Sequence, residues 1–225
     1  MSTIFWASDS TVAYNSIKTY PQTGMGQVIN LFLKPSIKVK NHAKNGRSTK
    51  SFIDENLLMP IYFNIKENDF LFIQFGHNDE KKSDPNRYTD PQTTYKENLK
   101  KYINVATNKK AFPLLITPLE RRWFKDGKLL TSDHGPYVKA MKEIAKEENV
   151  PLIDLFSLSR KLIEDLGDNN SKKLFMQLKI NEFKNFPNGL DDNTHLRYEG
   201  AIVFAQIIAE ELAKLKAPYK DLLLE

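Results

Sequence analysis

The stretch Phe70-Leu71-Phe72-Ile73 is continuously apolar, and it gives way within a few residues to the polar cluster Gly76-His77-Asn78-Asp79. A run of this kind suits a central parallel strand, which is covered on both faces and so has no reason to alternate. Four more short apolar runs flank it along the chain: Thr3–Ala7, Ile37–Asn41, Leu114–Thr117 and Leu152–Leu155. Ile37-Lys38-Val39-Lys40 alternates, as an edge strand with one wet face does. Between and after the runs lie segments of helical period: Tyr95, Leu99, Tyr102, Ile103 and Ala106; then Tyr137, Met141, Ile144 and Ala145. The clearest is Ala201, Phe204, Ala205, Ile208, Leu212 and Leu215, read as a C-terminal helix. Strand–helix alternation implies βαβ units and a parallel sheet with helices on both faces. The expectation is a single domain over residues 1–225, a three-layer α/β/α sandwich of about five parallel strands. No repeat or Gly/Ser linker divides the chain.

Composition bounds the chemistry. There is no cysteine, which excludes disulfides, thiolate metal sites and a cysteine nucleophile. The net charge of +5 comes from 33 basic and 28 acidic residues spread along the chain, which argues against a dedicated nucleic-acid patch. No apolar run approaches the roughly 20 residues that cross a bilayer, and Ile4–Ala7 is too short for a secretory h-region. The expected location is therefore cytoplasmic, with no membrane partner.

In sheets of this kind ligands bind beyond the carboxyl ends of the strands, and four clusters are expected there. Ser8-Asp9-Ser10-Thr11 leaves the first strand, where a serine with a helix N-terminus behind it suits a nucleophile. Taken alone, the cluster reads first as an N-cap. Asn45-Gly46-Arg47-Ser48 follows the second strand and brings a bare backbone N–H near a ligand, although Asn-Gly is equally a common turn. In the third cluster Asn78 has the amide of an oxyanion-hole donor, or it belongs to a plain Gly-Asn-Asp turn. Asp192-Asn193-Thr194-His195 precedes the last helix; a spacing of three in a turn or helix start sets a carboxylate beside an imidazole, and a lone pair of this kind is otherwise a surface accident.

The order and spacing of the four together resemble the SGNH (GDSL-type) hydrolases, whose blocks carry Ser, Gly, Asn and His in this sequence. Ser10, Gly46, Asn78 and His195 match those blocks, with Asp192 three residues before the histidine. Asp9-Ser10-Thr11-Val12, Gly46-Arg47-Ser48 with Lys50-Ser51-Phe52, Phe75-Gly76-His77-Asn78-Asp79, Thr117-Pro118-Leu119 with Arg121-Arg122, and Asp192-Asn193-Thr194-His195 look like the rhamnogalacturonan acetylesterases. The resemblance runs from residue 3 to about residue 215. It implies a flavodoxin-like sheet of strand order 2-1-3-4-5, no metal and no cofactor, and release of acetate from pectic oligosaccharides. It also implies a triad of Ser10, Asp192 and His195, with the Ser10 and Gly46 backbone N–H groups and the Asn78 amide as oxyanion donors. Arg47, Arg121 and Arg122 are candidates for galacturonate carboxylates and Trp123, with Phe124, for a sugar site; each reads equally as structural. His77 is placed beside the substrate, chiefly as hydrogen-bonding support for the Asn78 turn.

Two positions depart from the family pattern. Ser8 stands where a glycine is usual, so the turn must hold a side chain. Met25 stands where tryptophan is frequent, which would exchange a sugar platform for a flexible apolar contact if the position borders the cleft. The nearest rival is an SGNH esterase acting on acetylated xylan or other short acyl esters. A fold-retaining carbohydrate-binding protein would not need all three triad residues. A metal hydrolase ranks last, with four histidines and no His-Glu-x-x-His.

Overall fold

Thr3–Ser8 (β1), Lys38–Asn41 (β2), Phe70–Gln74 (β3), Phe112–Ile116 (β4) and Leu152–Ile153 (β5) form one parallel sheet in the order β2-β1-β3-β4-β5. This is the expected sheet, seen in a computed structural model that describes residues 2–224. Two of its strands differ from expectation for local reasons. β4 begins at Phe112 and contains Pro113, whose missing N–H makes a strand interior hard to read from sequence. β5 stops at Ile153, because the Asp154 side chain accepts from the Ser157 N–H and starts a helix at Leu155.

Alternate residues of the central strands serve opposite layers. Ile4, Trp6, Phe70, Phe72, Leu114 and Ile116 pack with the buried face of the C-terminal helix Tyr198–Lys214, which includes Ala201, Phe204, Ile208 and Leu212. Phe5, Ala7, Leu71, Ile73 and Leu115 pack on the other side against Thr94–Thr107 and Gly135–Glu147. The close approach of the C-terminal helix to the 3-10 turn Lys172–Leu174 depends on Gly200, where an added Cβ would sit 1.9 Å from the Leu174 carbonyl oxygen. Gly200→Ala is therefore expected to destabilise the protein by about 1–3 kcal/mol, a fall in Tm of roughly 3–10 °C in a chain of this length. An unchanged Tm in a thermal melt would show that the helix shifts freely at this point.

The second layer also builds the back of the cleft. Tyr95 donates its hydroxyl to the Phe75 carbonyl at 2.9 Å, Tyr102 to Thr49 at 3.0 Å, and Tyr137 to both Asp79 at 2.9 Å and Thr89 at 2.7 Å. Three helix tyrosines thus bond carbonyls of the segments behind the cleft, where an unpaired buried carbonyl would be costly. After the sheet the chain makes an antiparallel pair, Phe175–Leu178 with Leu190–Leu196. No described helix is long and apolar enough to cross a membrane.

Candidate active site

β1 and β3 run flush to their ends, with Ser8 opposite Gln74, and the Ser8 hydroxyl donates to the Gln74 carbonyl at 2.6 Å. The side chain that replaces the usual glycine is thus absorbed as a strand-end hydrogen bond. Past it, residues 9–13 form a turn, closed by the Ala13 N–H to the Asp9 carbonyl at 3.1 Å. No helix begins there, so the expected helix N-terminus behind Ser10 is absent. Asp9 takes the capping role instead, accepting from the Thr11 N–H at 3.0 Å and the Thr11 hydroxyl at 2.8 Å. This leaves the Ser10 hydroxyl free to point elsewhere.

It points to His195. Ser10 Oγ lies 2.9 Å from His195 Nε2, and His195 Nδ1 lies 2.6 Å from Asp192 Oδ2. Because an ionised carboxylate only accepts, Nδ1 carries the proton; Nε2 then accepts from the Ser10 hydroxyl. The other oxygen of Asp192 accepts the Thr194 N–H at 2.8 Å and the His195 N–H at 3.0 Å. Burial on its own would raise the Asp192 pKa, but the His195 bond and charge, with these two N–H groups, outweigh it and hold the carboxyl at about 2. The pair comes neither from a helix start nor from the end of a sheet strand. It lies within Leu190–Leu196, where the carboxylate folds back on its own backbone.

The remaining sequence blocks converge on the same cavity, about 520 Å³ in volume and lined by Ser10, Gly46, Asn78, Asp192 and His195, among others. Gly46 has φ +76°, a left-handed conformation that glycine adopts without strain. Gly46 thus both makes the Asn-Gly turn and lines the cavity. Neither the Ser10 nor the Gly46 N–H has a hydrogen-bond acceptor among the described residues. Asn78 Nδ2 donates to the Arg47 carbonyl at 3.1 Å, tying the third block to the second, and keeps a second N–H. Asp79 reinforces the tie by accepting from the Thr49 N–H at 3.1 Å, the Thr49 hydroxyl at 2.5 Å and the Thr89 hydroxyl at 2.9 Å. Burial raises its pKa to about 7 against these hydrogen bonds.

Several expected substrate contacts are engaged elsewhere. Arg47 pairs with Glu55, its Nη2 2.6 Å from Oε2. Arg122 is buried and ion-paired with Asp168, and its Nη1 donates to Asn193 Oδ1 at 2.6 Å. It braces the strand that carries Asp192 and His195. Arg121 does the same from the cleft side, donating to Thr194 Oγ1 at 2.7 Å while pairing with Glu80 at 2.8 Å. The His77 ring is buried edge-on against His134, with centroids 4.3 Å apart, and neither nitrogen has a partner. The expected hydrogen-bonding support of Asn78 by this ring is absent. Burial, then the charges of His134 and Arg121, push its pKa well below the usual histidine value, so the ring is neutral. Met25 is fully buried in the core and does not border the cleft, because its turn packs the residue under the sheet. Trp123 is 37% exposed and lines a neighbouring cavity of about 850 Å³ that shares Lys81 and Arg121 with the first. Phe124 packs under the Arg122 guanidinium.

Sequence reasoning missed Lys81 and Arg87, which also line the cavity that holds Ser10 and His195. They sit in the aperiodic loop after Asp79, where no pattern marks a side chain as facing inward. Arg87 Nη1 donates to Asn78 Oδ1 at 3.3 Å.

Residues 9–208 match the family model described as GDSL-like Lipase/Acylhydrolase. The chain belongs to that family. It is an esterase, a serine hydrolase of the SGNH type. Within the family it is 39% identical over 218 residues to the rhamnogalacturonan acetylesterase RhgT of Bacillus subtilis, covering 97% of this chain and 92% of the relative. It is 40% identical over 218 residues to the probable rhamnogalacturonan acetylesterase YesY of the same organism, covering 97% and 95%. Among solved structures, the acetylxylan esterase Axe2 of Geobacillus stearothermophilus superposes with a TM-score of 0.64 at 14% identity, covering 93% of each chain, a likeness of fold.

Proposed function

We infer that this GDSL-family esterase is a carbohydrate O-acetylesterase that removes acetyl groups from pectic, rhamnogalacturonan-type oligosaccharides through an acetyl-serine intermediate. The observation that carries the chemistry is the continuous chain Ser10 Oγ–His195 Nε2 at 2.9 Å and His195 Nδ1–Asp192 Oδ2 at 2.6 Å. The substrate class is supported by about 40% identity to two rhamnogalacturonan acetylesterase relatives over nearly their whole length.

In this reading Ser10 Oγ attacks the acetyl carbonyl carbon as its proton passes to His195 Nε2, and Asp192 stabilises the imidazolium. The carbonyl oxygen becomes an oxyanion held by the Ser10 and Gly46 N–H groups and by the free N–H of Asn78. The C–O bond to the sugar breaks, and His195 returns its proton to the departing sugar oxygen. A water then attacks the acetyl-enzyme, giving its proton to His195; acetate leaves and the Ser10 hydroxyl is restored.

The direct test is acetate release from acetylated rhamnogalacturonan oligosaccharides, with 4-nitrophenyl acetate and butyrate beside it. Release from the oligosaccharide and a steep loss from acetate to butyrate are expected. Cleavage of the aryl acetate alone would keep the chemistry and overturn the substrate. Asn78→Ala is expected to lower kcat by about 10²–10³, the usual cost of one oxyanion donor. Because Asn78 also holds the Arg47 carbonyl next to Gly46, part of the loss comes from the second donor. A fall in kcat of less than threefold would remove Asn78 from the oxyanion site.

A further inference from the structure

The charge lining the catalytic cavity is lopsided. Lys81, Arg87 and Arg121 line it, against the single carboxylate of Asp192, which is committed to His195. Two of the three cations are already paired: Arg121 with Glu80 at 2.8 Å and Arg87 through Nε with Asp84 at 2.5 Å. Lys81 has no ion-pair partner within 4.0 Å among the described residues, and it lies on the wall shared by the 520 Å³ and 850 Å³ cavities. Its pKa is lowered, first by partial burial and then by the neighbouring charges of Arg87 and Arg121. A cation kept beside two others, with no internal partner, is in place for an anion brought by a ligand. Arg87 adds a directional donor: its Nη1 reaches Asn78 Oδ1, and a Cβ placed on Gly46 would lie 3.6 Å from that same nitrogen. The positive wall therefore lines the same cavity as Gly46, Asn78 and Ser10, with Arg87 directly beside Gly46 and Asn78.

The geometry points to a carboxylate subsite inside the catalytic cavity, formed by Lys81 and Arg87, that selects acetyl esters on acidic sugars over those on neutral ones. The inference rests on the acetylesterase reading above and names the feature of the substrate that the site reads. The carboxylate accepts from the Lys81 ammonium and the Arg87 guanidinium, on the acetylated uronate itself or on the residue next to it. The outer cavity, where Glu80, Asp90 and Asp133 balance Lys81, Lys82 and Arg121, has no such excess and suits the neutral part of the chain beside Trp123.

The experiment compares kcat/KM for an acetylated galacturonide oligosaccharide and for its methyl-esterified, uncharged counterpart, in wild type, Lys81→Gln and Lys81→Arg. The wild type is expected to prefer the acidic substrate, and the ratio is expected to fall about 5–20-fold in Lys81→Gln, carried by KM, and to be restored in large part by Lys81→Arg. The preference is also expected to shrink as salt rises. A ratio that is unity in wild type, or one that Lys81→Gln leaves unaltered, overturns the subsite. A second readout does not require turnover of either oligosaccharide: galacturonate is expected to compete with 4-nitrophenyl acetate several-fold better than galactose does, and to lose that advantage in Lys81→Gln. Equal competition by the two sugars overturns the subsite even if the acetylesterase reading stands. Absence of acetate release from both oligosaccharides, with preferential competition by galacturonate, would defeat the pectic substrate and keep the anion site.

Discussion

Ser10→Ala is expected to reduce acetate release by roughly 10⁴–10⁶-fold in kcat, to the level supplied by binding and the oxyanion donors alone. The nucleophile is the one atom whose loss no neighbour can replace. The Ser10 hydroxyl makes its hydrogen bond to His195, while the turn that carries it is held by Asp9 and Thr11. Stability should accordingly stay within about 0.5 kcal/mol of wild type, which separates lost chemistry from lost fold. The measurement is acetate release from the oligosaccharide and from 4-nitrophenyl acetate, with a thermal melt on the same preparation. Activity retained within tenfold at unchanged Tm would overturn the triad and with it the mechanism. Loss of activity together with Tm would call for the same comparison in Ser10→Gly.

The second large effect is expected from Asp192→Asn, about 10⁴-fold in kcat. The new side chain can still accept from the Thr194 and His195 N–H groups through Oδ1, so the strand keeps its shape. What it presents to His195 Nδ1 is an amide N–H where an acceptor stood. That favours the tautomer with its proton on Nε2, which cannot take one from serine. Asp192 has a consequence for stability as well. Its pKa of about 2 lies below the ordinary 3.8, so folding favours the ionised form by about 2 kcal/mol. This contribution is fully present above pH 3.8 and is lost as pH falls towards 2. Tm measured from pH 6 down to pH 2 should therefore drop more steeply in wild type than in Asp192→Asn. Parallel curves would mean that the His195 contact does not hold the carboxylate down, and a kcat within tenfold of wild type would remove Asp192 from the mechanism.

The residues that meet at the candidate site were legible because each sits in a short, chemically distinctive block whose local structure forces its position. The apolar run Phe70–Ile73 reads as a covered strand, and the residues just past the end of such a strand lie at the sheet's ligand-binding edge. The contacts around the reaction were not legible. Arg47 and Arg122 look like ligand-binding arginines in sequence, yet Glu55 and Asp168, 8 and 46 residues away, claim them. Whether Met25 borders the cleft was left open by its motif, and the fold buries it in the core.

The sequence alone therefore determined the sheet, its order through the family resemblance, and the blocks that bring Ser10, Gly46, Asn78, Asp192 and His195 to one cavity. Backbone pattern and local turn chemistry act over a few residues and survive being read in one dimension. The tertiary structure decided which charges are spent on other charges and which remain for a ligand. It paired Arg121 with Glu80 and Arg87 with Asp84, left Lys81 open on the cavity wall, and buried His77 against His134. Electrostatic pairing depends on distance in space and on exclusion of water, and neither quantity exists until the loops have folded over the sheet.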